Sequence, residues 1–394
     1  MPGWHVKTLE AQRADRLQLV GVVQEQHPDR CRLFMQWKRM DWPVLVDSLN
    51  LAGIEVVPVA YAIDEQGIVR HVNPSETELD AFLGAPVAGA GPPPPIPVAP
   101  ALDELRRRTR SGGAESWRRF GDSLFLWGGE ARLDEAVAAY AEAAKLEPRD
   151  GPTQFRLGTA YRRRYDSGRR HGRDFQHAAE HWARALDLEP NQYIWRRRLQ
   201  QYGPRLDKPY PFYDWVDEAR RDIRARGEEP AALLVEPGGA EIAGPAEQFV
   251  VLPPPRAEPD RRGRVRRDPG RFVGIEAAVV PPAVKPGEVT RIHVAFRPNR
   301  AVDAHWNNEG GPLRVWVEPP RGWRADRQEL TAPAPRDTVS TEARELQFEL
   351  RAPADAGPGQ VAVPGYSLYY VCEGATGTCL YRRQDLSVLV TVRP

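Results

Sequence analysis

Cysteine is scarce in this chain, with three in 394 residues. That is too few for the disulfide framework that staples small secreted domains. Lysine is scarcer than usual as well. Lys7, Lys38, Lys145, Lys208 and Lys285 are the whole set, so 50 of the 55 cations are arginine. Such a bias can come from codon usage alone and is not read as a binding signal. Net charge is nearly absent, because 54 acidic residues leave only +1 overall. This balance argues against a polybasic nucleic-acid protein and against an acidic tail protein. No run of about 18 apolar residues occurs, so no membrane span is expected. The opening MPGWHVKTLEAQRADR lacks the apolar core of a signal peptide, which points to the cytoplasm by default. Glycine and proline together supply 72 residues, about 18% of the chain, short of the roughly 25–30% that marks wholesale disorder. The length fits two or three domains of roughly 100–200 residues each. No cofactor is expected.

Proline marks the seams between those domains. The run GAGPPPPIPVAP can continue neither a helix nor an inner strand and predicts an extended polyproline spacer over 86–101. A second soft stretch, 229–270, is centred on LPPPRAEPDRRGRVRRDPG. Three blocks remain, 1–85, 102–228 and 271–394, and their periodicities differ.

The first block alternates strand and helix. LQLVGVVQE (Leu17 to Glu25) is an apolar, β-branched run of the kind expected for a strand buried on both faces. Pro28 and Asp29 suit the first turn of a helix reaching about Lys38. WPVLVD predicts a short strand, and VVPVAYAIDEQGIVRHV predicts a hairpin turning at Asp64 to Gly67. Ser75 and Glu78 form a capping box ahead of a further helix. In order and in residues, this block resembles the redoxin branch of the thioredoxin fold. The likeness rests on GVVQEQHPDR, on Val57-Pro58 before VAYAID, and on IDEQGIVR. It implies a partial α/β thioredoxin-like fold, with Leu17 to Glu25 as a central strand beside Val59 to Ile63 and a cis peptide at Pro58. One departure is decisive for chemistry. The family's CxxC precedes the LQLVGVVQE strand, and the residues before that strand contain no cysteine. Without a low-pKa thiolate at a helix N-terminus, the block has no nucleophile for disulfide exchange. A missing first strand and catalytic turn are expected from degeneration or from a reading frame that starts late. Cys31 sits in a first helical turn, where the macrodipole can lower its pKa. A half-buried helix cysteine is the favoured reading.

The second block is a repeat. Trp117, Phe120, Gly121 and Leu124 precede Ala136, Tyr140, Ala143 and Pro148. Leu157, Gly158 and Tyr161 precede Ala178, Trp182, Ala185 and Pro190. These offsets resemble the tetratricopeptide (TPR) helix pair, whose period is about 34 residues, and the endings AAKLEPRD and RALDLEPN nearly coincide. The turns between helices are longer than the family norm, the second holding an inserted YRRRYDSGRRHGRD. The resemblance implies an all-α repeat domain that holds a peptide or protein segment in its groove. His177 to His181 spells H-x-x-E-H, a zinc-protease motif. Ala178 and Trp182 already serve the repeat packing, so chance is the favoured reading. The arginines from Arg162 to Arg173 are expected on a solvated loop.

The third block alternates with period two. In VTRIHVAFRP, Ile292, Val294 and Phe296 face one way and Arg291, His293 and Arg297 the other; LQFEL and LSVLVTV repeat the pattern. An all-β antiparallel sandwich follows. DAHWNNEGGPLRVWVEPPRGW (Asp303 to Trp323) resembles the amino-terminal, immunoglobulin-like domain of the bacterial thiol:disulfide interchange protein DsbD and its relatives. The shared residues include His305, Trp306, Asn308, Gly311, Trp316 and Trp323. Trp306 and Trp316 are structural in this reading. The family carries a late cysteine pair, and YYVCEGATGTCLY offers Cys372 and Cys379. A hairpin can bring such a pair to the Cα separation a disulfide needs. From the residues alone, a structural staple and an exchanging pair stand equal; the resemblance implies exchange. The whole chain then reads as a bacterial accessory protein of thiol–disulfide metabolism. Its partner would be a thioredoxin-like or other thiol protein, with the periplasm implied by the family. The competing reading is a non-catalytic scaffold whose hairpin disulfide is purely structural.

Overall fold

The computed structural model describes residues 2–85, 101–253, 255, 257–374 and 377–394; the proline run of the first spacer lies outside them. The chain forms two compact units, one of residues 1–160, 186–196 and 215–236, the other of residues 161–185, 197–214 and 237–394. The division does not follow the three sequence blocks, because it passes through the repeat helices.

The first unit begins α1 (Pro2–Arg13), β1 (Gly21–Val23), α2 (Pro28–Lys38), β2 (Val44–Val46), β3 (Tyr61–Ile63), β4 (Val69–Val72) and α3 (Glu76–Gly84). Pro28 opens α2 with Asp29 beside it, where a missing N–H costs nothing and a carboxylate meets the positive end of the helix. At the other end, the Arg226 guanidinium donates to the carbonyls of Trp37 and Gln36 at 3.1 and 3.0 Å. It thereby satisfies acceptors that the helix cannot. The Ser75–Glu78 capping box is formed. The hairpin turns on Asp64, whose Oδ1 accepts the N–H groups of Gln66 and Ile68, and on Gly67 at φ 79°.

Val57–Pro58 is cis, as the resemblance implies, but the strand order is not the one expected. β1 pairs in parallel with β2, Gly21 opposite Val44, and β3 pairs only with β4, in antiparallel register. The run read as buried on both faces is also partly bare. Val22 is 53% exposed and Leu45 59%. A strand is buried twice only where both faces of its sheet are covered, and among the described residues β1 and β2 lack that cover.

Helices α4 (Leu102–Thr109), α5 (Ala114–Trp127), α6 (Leu133–Leu146), α7 (Gly151–Tyr165), α8 (Asp174–Leu188), α9 (Tyr193–Tyr202) and α10 (Val216–Ala225) follow. The α5–α6 pair shows why the repeat alternates small and large residues. A Cβ at Gly121 would stand 2.8 Å from the Tyr140 ring, closer than carbon atoms pack. The buried Tyr140 hydroxyl donates to Asp122 at 2.8 Å, and Arg156 donates to the same carboxylate at 2.7 Å. Trp37 of α2 lies parallel to Trp215, centroids 5.9 Å apart, with Phe34 edge-on to both. This aromatic set joins α2 to α10.

The second unit contains β5 (Val273–Val280), β6 (Ala283–Val284), β7 (Val289–Pro298), β8 (Ala304–Asn307), β9 (Leu313–Val317), β10 (Arg324–Ala325), β11 (Glu329–Ala332), β12 (Val339–Ser340), β13 (Arg344–Arg351), β14 (Gly359–Glu373) and β15 (Cys379–Val392). One sheet runs β10-β13-β7-β5. The other runs β11-β9-β14-β15-β6, with β8 paired to β14 and β12 to β8. Ile292, Phe296, Trp306, Phe348, Leu350 and Val371 meet in the core of this β-rich sandwich.

The polar face of β7 is the surprise. Arg291 and His293 are 5% and 9% exposed, although the polar face of an alternating strand ordinarily meets water. Helical parts of the same unit cover them. Phe175 packs edge-on against His293 at 5.0 Å, and His293 Nε2 donates to the Tyr202 carbonyl at 2.7 Å. Arg291 donates to the buried Glu349 at 3.1 Å, and the same carboxylate oxygen accepts the Arg205 backbone N–H at 2.7 Å. A buried charge persists only when paired in this way.

Two further expectations change. The arginine run is not wholly solvated. Arg162 and Arg164 are buried, paired with Asp166 at 3.0 Å and Asp174 at 2.7 Å, and Arg162 lies over the rings of Phe175 and Tyr202. The described part of the second soft stretch is not a free spacer either. Asp260 and Asp268 are buried. Asp268 accepts the N–H groups of Gly270, Arg271 and Phe272 and the Tyr369 hydroxyl, while Asp260 pairs with Arg383 at 3.1 Å.

Candidate functional site

Cys372, next to last in β14, and Cys379, which opens β15, stand directly opposite one another in the antiparallel register. Gly374, at φ 66°, turns the chain between them, a conformation glycine adopts without penalty. The two are joined as a disulfide. Their surroundings are unequal. Cys372 is 3% exposed, whereas Cys379 is exposed.

The pair stands on the outer face of its sheet. Val371 and Tyr369 belong to the core, and alternate residues of a strand point to opposite faces, so Tyr370 and Cys372 point outward. Across the hairpin Tyr370 opposes Tyr381, their rings stacked at 4.5 Å. Gly310 lies on the Tyr370 ring, where a Cβ would fall 2.5 Å from the ring carbon Cγ. This approach explains a glycine in the NNEGGP segment. Asn307 Oδ1 accepts the N–H groups of Glu309 and Gly310 at 3.1 and 3.2 Å, and the Asn308 side chain donates to the Asp337 carbonyl at 2.7 Å.

On the other side of Cys372 lies β8, with His305 directly opposite it. Across three strands, His305, Cys372 and Cys379 therefore form one row. His305 is half-buried, and its Nδ1 stands 3.3 Å from the Asp303 carbonyl, which also accepts the Gly374 N–H at 3.1 Å. A carbonyl only accepts, so Nδ1 is the donor in this contact and Nε2 is left for a second partner. Sequence reading missed the row, although HWNN and the cysteine hairpin were both in view; strand pairing was the missing link.

Other residues singled out from the sequence fall elsewhere. Trp306 is fully buried in the core, its Nε1 donating to the Glu342 carbonyl at 2.8 Å and its ring edge-on to Tyr369. Trp316 is only half-buried, since Val315 and Val317 on either side of it take the core positions of β9. Pro58 lies in the first unit, before β3. Cys31 is a free, half-buried thiol on α2. Burial, with Glu25 nearby, pushes it up, against the direction a helix start would impose. The rings of His177 and His181 both lie against Tyr161, at 5.1 and 5.6 Å. Burial, with His177 adjacent, pushes His181 down to about 4. Among the described residues, no group of three or more His, Cys, Asp or Glu side chains is placed to hold a metal, and no helix is long and apolar enough to cross a membrane.

No protein-family model and no curated protein matches the chain. Solved structures with partial similarity include AvmM, described as catalysing macrocyclization in alchivemycin A biosynthesis, at 12% identity over 33% of this chain and 96% of that one, TM-score 0.19. The bacterial hydrophobin BslA is similar at 12% identity over 31% of this chain and 96% of its own, TM-score 0.16. AggA, the major subunit of aggregative adherence fimbriae type I from Escherichia coli, is similar at 11% identity over 33% and 98%, TM-score 0.18. Similarities of this size assign neither a family nor an activity.

Proposed function

We propose that the chain is an accessory protein of thiol–disulfide metabolism whose Cys372–Cys379 hairpin exchanges its disulfide with a thioredoxin-like dithiol protein. The reading is carried by the unequal exposure of the pair. Exchange needs a path to one sulfur only, and Cys379 offers it while Cys372 is withdrawn. The partner's thiolate attacks Sγ of Cys379, a mixed disulfide forms, and Cys372 leaves as the thiolate. The partner's second thiol then attacks the mixed disulfide. Two electrons have passed, the partner is oxidised to its disulfide, and the hairpin holds two thiols. The resemblance of Asp303 to Trp323 to the immunoglobulin-like domain of DsbD supports this assignment. The redoxin-like first block, which lacks the CxxC, and the TPR-like helix pairs serve as docking parts for protein segments. The fit of Gly121 against Tyr140 supports the repeat reading of those helices.

A single-cysteine trap tests the proposal. With Cys372→Ser the exposed Cys379 remains, and a thioredoxin-like protein carrying one active-site cysteine should form a covalent adduct with it. Redox titration of the unmutated pair should give a potential between about −120 and −270 mV. A potential below about −300 mV, together with no adduct, leaves the structural staple of a scaffold protein as the correct reading.

A further inference from the structure

We propose that His305 is the thiolate partner of Cys372, holding the leaving sulfur's charge and exchanging a proton with it through Nε2. The inference rests on the exchange reading above and deepens it. Its basis is the row across β8, β14 and β15, in which His305 and Cys379 flank Cys372 from opposite sides. Side chains directly opposed in an antiparallel ladder have Cβ atoms about 4.5–5.5 Å apart, within reach of an imidazole and a sulfur. Attack at Cys379 breaks the S–S bond and places the electron pair on Sγ of Cys372. That sulfur is buried, where an unpaired thiolate is disfavoured. A proton taken up from solvent at Nε2 makes His305 an imidazolium that faces this charge, and the ring then passes that proton to the sulfur and returns to neutral. The reverse step returns that proton to Nε2 when Cys372 re-forms the disulfide.

The orientation of the ring follows from the backbone. The Asp303 carbonyl accepts both the His305 Nδ1 proton and the Gly374 N–H, so one acceptor ties the ring and the hairpin turn together. The elements around the row carry Asp303 just before β8, Glu309 in the loop after it, and Glu373 beside Cys372, paired with Arg271. Asp337 and Glu342 flank β12, the latter 3.9 Å from Arg344. On the hairpin side lie Tyr370 and Tyr381, with Arg383 paired to Asp385 further along β15.

The test separates this inference from the exchange reading. In the full chain with Cys31→Ser and Cys379→Ser, Cys372 is the sole thiol, and its thiolate absorbance is followed against pH. With His305 present it should titrate at least one unit below its value in H305Q, which is a tenfold difference in thiolate at neutral pH. Equal titration curves overturn the proposal. Nuclear magnetic resonance of His305 in the unmutated chain gives a second reading that needs no His305 substitution. By linkage, the imidazole should titrate higher in the reduced protein than in the oxidised one, and identical values overturn the proposal as well. Disulfide exchange is assayed apart from these, with dithiothreitol at about pH 8.5, where an ordinary thiol needs no help to ionise. A pair that resists reduction there while His305 and Cys372 still titrate together overturns the exchange reading and leaves the pairing standing. A pair that exchanges equally fast at every pH with and without His305 overturns the role of His305 and leaves exchange standing.

Discussion

β1 and β7 invert each other. The LQLVGVVQE run containing β1 is apolar almost throughout, yet Val20 and Val22 are 44% and 53% exposed. The VTRIHVAFRP run of β7 alternates apolar and polar, yet Arg291 and His293 are as buried as core residues. Hydrophobic pattern reports what a strand can bury at no electrostatic cost. What it does bury depends on how many elements cover its sheet. β1 belongs to a two-stranded sheet, too small to support two covered faces. β7 is an inner strand of four, with apolar core on one side and helical segments of its own unit on the other. Its polar residues are tolerated because each has a partner. Arg291 has Glu349, and His293 has the Tyr202 carbonyl.

The largest expected effect follows from removing one of those partners. Glu349→Ala strands Arg291 and the Arg205 backbone N–H together, and breaking a buried pair from one side costs about 3–5 kcal/mol. Urea unfolding should show a loss of that size. A loss below about 1 kcal/mol, the range of an exposed pair, would mean that water reaches the β7 face after all.

A smaller effect, visible only in acid, is expected from His293. Burial pushes its imidazole down to about 3, and His181 down to about 4. A depressed folded-state value means that the unfolded chain binds the proton first. The stability from a neutral His293 is therefore complete above the unfolded value of about 6.5 and drains away as pH falls toward 3. The second unit should lose stability steadily between about pH 6 and pH 4. His293→Phe should flatten that limb by roughly one proton's slope, with His181 keeping its own share. A limb unchanged in slope would place the titrating group elsewhere.

At β1 the expectation is close to nothing. Val22→Thr keeps the β-branched shape on a side chain already half in water, and its effect on unfolding should stay within about 0.5 kcal/mol. A cost above 1 kcal/mol would show that β1 is covered in solution and that the inversion is overstated.

Much of the architecture was legible locally. Pro28, the Ser75–Glu78 box, Gly67 and the Gly121–Tyr140 offset each specify their element through chemistry confined to a few neighbouring residues. The same holds for the cysteine hairpin, whose ends lie seven residues apart. What escaped was long-range. The pairing of β1 with β2, the cover over β7 and the placing of His305 beside Cys372 all depend on which distant strands and helices meet. No period in the sequence encodes that choice. Glu349, between Phe348 and Leu350 in LQFEL, was a visible hint that the outer face of that strand was not simply wet. The arginine run misled for the same reason, since Asp166 and Asp174, which neutralise two of its members, count as ordinary loop acids until the turn closes.

The segment around Asp260 and Asp268 bears on where this protein can be cut. Its regular structure is slight, and its sequence invites a boundary at the start of β5. Yet Tyr366 donates its hydroxyl to Glu258 at 3.2 Å, Arg383 reaches Asp260, and Tyr369 reaches Asp268 at 2.7 Å. A shortened chain starting at Arg271 would strip these three side chains of the cysteine hairpin's own strands of those partners. The smallest autonomous piece carrying the cysteine pair must therefore begin before Glu258, inside what reads on paper as connecting sequence.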